Sequence, residues 1–254
     1  MERFAVYSPK GGVGKTTTAV NLAYESAQRR LRTLLWDLDP QGAASWCLGV
    51  DPALRGGVRS LLKRRDKLAR SIVPSGIEHL DVLPSDRSLR HLDLALDSSK
   101  ARRSALAKVA KELRSHYDVL WIDCPPATGL QAENILGAVE ALVVPVVPTA
   151  LALRTIDQLD SFRAEHRDRV LQRIVFTQVD GQRARHVEAM ADTLDERDDV
   201  LWTTIPHDPE VEAMAAGRGP VAAYAPRSGA AAAYADLWVE LAAGLPNGIA
   251  GRRR

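Results

Sequence analysis

The sequence predicts a doubly wound α/β fold, a mostly parallel sheet with helices on both faces. Three observations predict it. Short β-rich runs alternate along the chain with longer helical ones, the pattern produced by right-handed crossovers between parallel strands. Most of the strand runs are near-continuous apolar stretches, as strands covered on both faces must be. A glycine-rich loop separates the first strand from the first helix, where this architecture keeps an anion site.

Residues 4–7 begin the sheet, and the helical pattern of residues 15–29 follows the glycine loop. Residues 33–37 form a second apolar strand ending in acids, and residues 80–83 a third after a long basic connection. Helical periodicity over 87–96 and 101–116 leads into strand 119–123, and helix 130–139 into strand 141–147. The alternation continues with helix 156–166, strand 174–178, helix 187–197 and strand 201–204. Residues 229–243 close the chain as a helix, because the alanine run at 230–233 consists of the best helix former. No repeat or long linker divides the chain. Residues 1–245 are read as one domain and 246–254 as a short Gly/Arg-rich tail.

Composition bounds the function. The 254 residues are 46% hydrophobic and 26% charged, with 34 basic against 32 acidic side chains, which fits a globular core and excludes a disordered or collagen-like chain. Cys47 and Cys124 are too few for a disulfide framework and point to a reducing cytosol. The N-terminus lacks the apolar run of a signal peptide, and no segment reaches the length of a membrane-spanning helix.

The strongest motif is Ser8-Pro9-Lys10-Gly11-Gly12-Val13-Gly14-Lys15-Thr16-Thr17. Its glycines let backbone N–H groups turn inward onto phosphate oxygens, and the following helix N-terminus adds positive potential. Lys15 is placed to neutralise the β- and γ-phosphates, and the Thr16 hydroxyl to ligate Mg²⁺. The ordinary motif has a glycine where this chain has Pro9, and a second lysine, Lys10, precedes Gly11. The loop is therefore the deviant form of the phosphate-binding motif.

That loop resembles the one in the ParA/MinD family of partitioning and positioning ATPases, whose fold is that of P-loop NTPases. Two further stretches carry the resemblance. Thr33-Leu34-Leu35-Trp36-Asp37-Leu38-Asp39-Pro40-Gln41-Gly42 is similar to the family's second motif, and Val119-Leu120-Trp121-Ile122-Asp123-Cys124-Pro125-Pro126 to its Walker B strand. The resemblance implies ATP and Mg²⁺ as cofactors. It implies nucleotide contacts from Lys10, Gly11, Gly12, Val13, Gly14, Lys15, Thr16 and Thr17, with Pro206 bordering the adenine. It also implies that Lys10 reaches across a dimer to the partner's nucleotide, that Asp39 orients the attacking water, and that Thr16, Asp37 and Asp123 serve the metal.

By the same resemblance the protein is a slow ATPase that dimerises on Mg-ATP and switches a partition or positioning system, helped by a ParB-like or other activating protein. Non-specific DNA binding is the expected read-out, which would associate a cytoplasmic protein with the nucleoid. Basic stripes support it: seven cations lie between Arg55 and Arg70, and six between Lys100 and Arg114. The segment after Ile205-Pro206 opposes it, since residues 192–212 hold eight acids against Arg197. Any DNA surface must therefore rely on Arg183, Arg185, Arg218, Arg227 or the two earlier stripes. The alternative is a MinD-like regulator acting through a membrane or protein partner, but Pro246 and the glycines around it break any C-terminal amphipathic anchor. An iron–sulfur cluster shared between two copies fails on thiol placement, because no Cys-x-x-Cys pair is present.

Overall fold

Seven strands build one sheet in the order β3-β4-β2-β5-β1-β6-β7, all parallel except the short antiparallel edge strand β3. They are β1 (Glu2–Val6), β2 (Thr33–Asp37), β3 (Val73–Pro74), β4 (Leu80–Leu83), β5 (Val119–Asp123), β6 (Ala141–Val146) and β7 (Leu171–Phe176). The computed structural model describes residues 1–51, 53–63, 68–166 and 170–244. The expected tail at 246–254, and Arg64, Arg65 and Lys67 of the first basic stripe, lie outside the described residues.

Strand side chains alternate between two apolar layers. Leu34, Trp36, Leu120 and Ile122 face one layer, and Phe4, Val6, Leu35 and Trp121 the other. The first layer is covered by α4 (Leu92–Asp97), α5 (Ala105–Leu113), α6 (Gly129–Ala138) and α7 (Ala150–His166). The second is covered by α1 (Lys15–Gln28) and by the last helix, α11 (Gly229–Ala243). Ser26 of α1 pins this second layer, because the indole N–H groups of Trp121 and Trp238 both donate to its Oγ, at 2.9 and 2.8 Å.

Among the described residues six short elements escape the sequence pattern: β3, α2 (Ala43–Cys47), α3 (Gly57–Leu61), α9 (Pro209–Ala213), the 3-10 turn Met214–Ala216 and α10 (Val221–Tyr224). The helix expected at 187–197 is α8 (Ala184–Glu196). The pattern over 87–96 divides into a 3-10 turn, Arg87–His91, and α4, with the Asp86 carboxylate capping the turn. One expected strand is absent. Residues 201–204 run beside β7 without forming a continuous ladder. The segment meets β7 at an isolated bridge between Val200 and Ile174, and the Leu201 and Ile205 N–H groups donate to the Ile174 and Phe176 carbonyls, both at 2.8 Å. The Glu240 carboxylate takes the N–H groups of Trp202 and Thr203 instead, at 2.8 and 2.9 Å. A side-chain acceptor from α11 thus replaces the ladder, and Trp202 is left exposed.

Candidate nucleotide site

The register sets the site. Val6 and Asp37 both pair with Asp123, so the carboxyl ends of β1, β2 and β5 finish level. The phosphate loop leaves β1 at that edge. Gly12 and Gly14 have φ of 72° and 85°, a conformation that only glycine adopts without strain. Gly14 then starts α1, whose first internal bond runs from Thr18 N–H to the Gly14 carbonyl at 3.0 Å. Two side chains after β7 hold the loop from outside. Thr177 Oγ1 donates to the Val13 carbonyl at 2.9 Å, and Gln178 Nε2 to the Gly12 carbonyl at 2.7 Å.

Lys15 is only 8% exposed, and its ammonium donates to the Lys10 carbonyl at 2.7 Å, closing the loop across its own mouth. Burial lowers its pKa, while the charge of Asp123 acts in the opposite direction. A phosphate arriving at the loop offers this ammonium a charged acceptor in place of a neutral carbonyl.

Three carboxylates end the neighbouring strands. Asp123 is fully buried and accepts from Thr16 Oγ1 at 2.8 Å through Oδ2, while its Oδ1 has no hydrogen-bond partner. Burial drives its pKa well up, with Asp37 adding to the rise. A buried carboxylate with one oxygen unpartnered fits a site that receives a cation. Among the described residues no cluster of three or more His, Cys, Asp or Glu could hold a metal. That suits Mg²⁺, which takes one or two protein oxygens and completes its shell with phosphate and water.

Asp37 lies behind this pair, fully buried. Its Oδ2 accepts from Ser45 N–H and Ser45 Oγ of α2, at 2.8 and 2.7 Å, and Oδ1 accepts from Asp39 N–H at 3.2 Å. Burial raises its pKa to about 6 despite those bonds. Its acceptors are engaged with α2, so in this arrangement it braces the loop that carries Asp39. Asp39 is half-buried, and its Oδ1 accepts from Gln41 N–H at 2.8 Å.

A cavity of about 860 Å³ opens over these groups. Gly11, Gly12, Gly14, Lys15, Thr16, Thr17 and Asp39 line its floor, and Gln178, Pro206 and Asp208 one wall. Trp46 and Met214 also line it. Trp46 Nε1 donates to the Ala215 carbonyl at 2.9 Å, fastening α2 to the turn after α9. Thr177, Gln178, Ser45 and Trp46 escaped the sequence reading. Each acts on backbone or on another side chain, and such tethers leave no spacing signature.

Lys10 does not line this cavity. It borders a separate shallow pocket of about 410 Å³ with Pro9, Leu151, Arg154, Thr155 and Gln158. A larger groove of about 970 Å³ runs between α7 and α8, away from the phosphate loop. It holds Arg183 and Arg185 among the acids Asp157, Glu188, Asp192 and Glu196. Arg183 is ion-paired with Asp180 at 3.0 Å, Arg218 lies over the Tyr224 ring, and Arg227 is exposed. Arg183 and Arg185 thus share the groove between α7 and α8, which neither Arg218 nor Arg227 lines. Among the described residues no helix is long and apolar enough to cross a membrane.

The comparisons agree with this geometry. A sequence family described as an AAA domain matches residues 1–175. The sporulation initiation inhibitor protein Soj of Bacillus subtilis is 32% identical over 246 residues, covering 94% of this chain and 97% of Soj. A cobyrinic acid a,c-diamide synthase from Mycobacterium smegmatis, solved with an ATP analogue and magnesium, superposes with a TM-score of 0.81 at 28% identity, covering 95% of this chain and 94% of that one. The septum site-determining protein MinD of Pyrococcus horikoshii, solved with Mg-ADP, gives 0.78 at 25% identity over 94% of this chain and 95% of its own.

Proposed function

The chain belongs to the ParA/MinD family of P-loop ATPases, takes ATP and Mg²⁺, and is a ParA-like partition or positioning ATPase; from that premise we propose that ATP closes two copies into a dimer and that slow hydrolysis opens it. The observation that carries this reading is the position of Lys10. Its neighbours in the loop line the nucleotide cavity, whereas Lys10 lies outside it beside Leu151, which is 68% exposed. A lysine that serves its own nucleotide belongs in the cavity. One that serves a second copy belongs on the facing surface.

The residues then divide the work. Lys15 and the loop N–H groups bind the phosphates, and Lys10 of a second copy adds a charge that only the dimer supplies. Thr16 and Asp123 hold Mg²⁺, which neutralises charge on the phosphates. Asp39 orients the attacking water, and Asp37 fixes the strand end from which Asp39 projects. Pro206 borders the base. A ParB-like or other activating protein raises the turnover, and non-specific DNA is the surface that reads the ATP-bound dimer.

Paired lysine variants test the switch. Lys15→Ala is expected to abolish nucleotide binding. Lys10→Ala is expected to keep nucleotide binding within a few-fold but to lose ATP-dependent dimerisation by sedimentation, and hydrolysis with it. Parental turnover in Lys10→Ala would overturn the cross-dimer role.

A further inference from the structure

Arg183 and Arg185 share their groove with four acids, whereas α5 gathers on one face cations that have no ion-pair partner among the described residues. The inward face of α5 is apolar, with Ala105, Leu106, Val109, Ala110 and Leu113 all buried. Its outward face carries Lys108 and Lys111, and Arg114 follows at its C-terminal cap, all exposed. The preceding arginines are neutralised, Arg102 by Asp97 at 2.9 Å and Arg103 by Glu133 at 3.2 Å. Lys108, Lys111 and Arg114 take part in none of the ion pairs among the described residues.

These three cations border a concavity of about 480 Å³ whose one other lining residue is Glu112. A second basic segment meets the same end of α5. Leu68, Ala69 and Ile72 share a groove with Leu113, His116 and Tyr117, which brings exposed Arg70 alongside. From Lys108 to Arg114 the helix advances about 9 Å, a length over which one duplex strand presents roughly two to three phosphates, about 3.4 Å of axis each. None of the exposed large apolar side chains (Trp46, Leu94, Leu151, Val187, Trp202 and Val239) lies on α5. A surface of cations without an apolar wedge suits a phosphate backbone better than a bilayer interface.

We propose that the outer face of α5, through Lys108, Lys111 and Arg114 and extended by Arg70, is where duplex DNA lies on this protein. The assignment rests on the DNA read-out proposed above and moves the contact away from Arg183, which is paired with Asp180, and Arg185, which shares its groove with Asp157, Glu188, Asp192 and Glu196. Phosphate contacts of this kind carry no base preference.

The test uses the full chain with ATP and a fluorescent random-sequence duplex, titrated at several salt concentrations. Lys108→Gln/Lys111→Gln/Arg114→Gln is expected to lose at least about ten-fold in affinity at low salt. Its slope of log affinity against log salt should fall by roughly 2–3, about 0.9 for each contact removed. Arg183→Gln/Arg185→Gln is expected to stay within about two-fold of the parent. ATP turnover without DNA and thermal unfolding should be unchanged in both, which separates a lost contact from a lost fold. Parental affinity and slope in the α5 variant would overturn this surface and leave the DNA reading standing. No DNA binding by the parental ATP form would overturn both, and binding instead to vesicles of anionic lipid would replace DNA with a membrane.

Discussion

Thr16 donates its hydroxyl to Asp123 across 2.8 Å, joining the first turn of α1 to the end of β5. The two residues are 107 positions apart, and the sheet register brings them together by placing Asp123 level with the end of β1. The bond occupies one oxygen of a carboxylate whose other oxygen has no partner. It keeps in register the two groups proposed to hold Mg²⁺, and that joint role is measurable.

Asp123→Asn keeps the shape and removes the charge. Nucleotide affinity should still be measurable in EDTA, since the phosphate loop is intact. The gain in affinity that Mg²⁺ gives the parent should shrink by about ten-fold or more, because a neutral amide is a poor ligand for a hard cation. Equal Mg²⁺ enhancement in both proteins, read by titration of a fluorescent nucleotide, would show that Asp123 does not serve the metal.

Asp39 separates binding from chemistry. Its carboxylate lines the cavity but stands apart from the Thr16–Asp123 pair, anchored by Gln41 N–H. Asp39→Ala should bind Mg-ATP within a few-fold of the parent and accumulate in the ATP-bound form. Single-turnover hydrolysis should slow by roughly 10²–10⁴, the usual contribution of a positioned acid–base group. An unchanged chemical step would make Asp39 a loop-fixing residue only.

The phosphate site was legible in the sequence because its demands are local. A loop that turns backbone N–H groups inward needs glycine at 12 and 14, and both have positive φ. Strands 33–37, 80–83 and 119–123 were bounded correctly for a related reason, since buried strands are apolar throughout. Elements set by distant contacts were not legible. Glu240 undoes an apparent strand at 201–204 from 38 and 37 positions away. Asn134 Oδ1 accepts from Ala105 N–H at 3.0 Å, and α5 begins there, four residues later than its periodicity suggests. The two bonds that Ser45 gives the Asp37 carboxylate were equally hidden, because they come from a short helix with no periodic signal.

Two raised carboxylates make the nucleotide-free protein sensitive to pH. Asp37 titrates near 6 when folded and Asp123 is likewise pushed well above the usual carboxylate range, both driven up by burial, whereas each returns to the usual range near 4 on unfolding. The folded state therefore binds more protons than the unfolded state across this window, and stability falls as pH rises through it. For Asp37 alone the difference is on the order of 3 kcal/mol. Asp118, held low by its hydrogen bonds to Arg32, finishes titrating below this window and does not mask the effect. Thermal unfolding in metal-free buffer should show a falling Tm from pH 5 to 7, flattened when Mg-ADP is present. A Tm that rises over that range without nucleotide would contradict it.

Ser26 supplies a structural control remote from the chemistry. Its Oγ accepts from Trp121 and Trp238 and donates to the Leu22 carbonyl at 2.8 Å, so one hydroxyl ties β5 and α11 to α1. Ser26→Ala leaves two indole N–H groups without an acceptor. Trp121 is 1% exposed and cannot turn to water, while Trp238 at 7% has slightly more access. An unsatisfied buried donor costs about 1–3 kcal/mol, so a total of roughly 2–4 kcal/mol is expected. For a chain of this size that lowers Tm by about 4–16 °C. Nucleotide affinity at low temperature should not change, because Ser26 touches no residue of the phosphate loop or its carboxylates. An unaltered Tm would mean that the indoles find other acceptors. A selective loss of nucleotide binding in a protein of normal stability would mean that the α1 register, rather than the layer beneath it, depends on this hydroxyl.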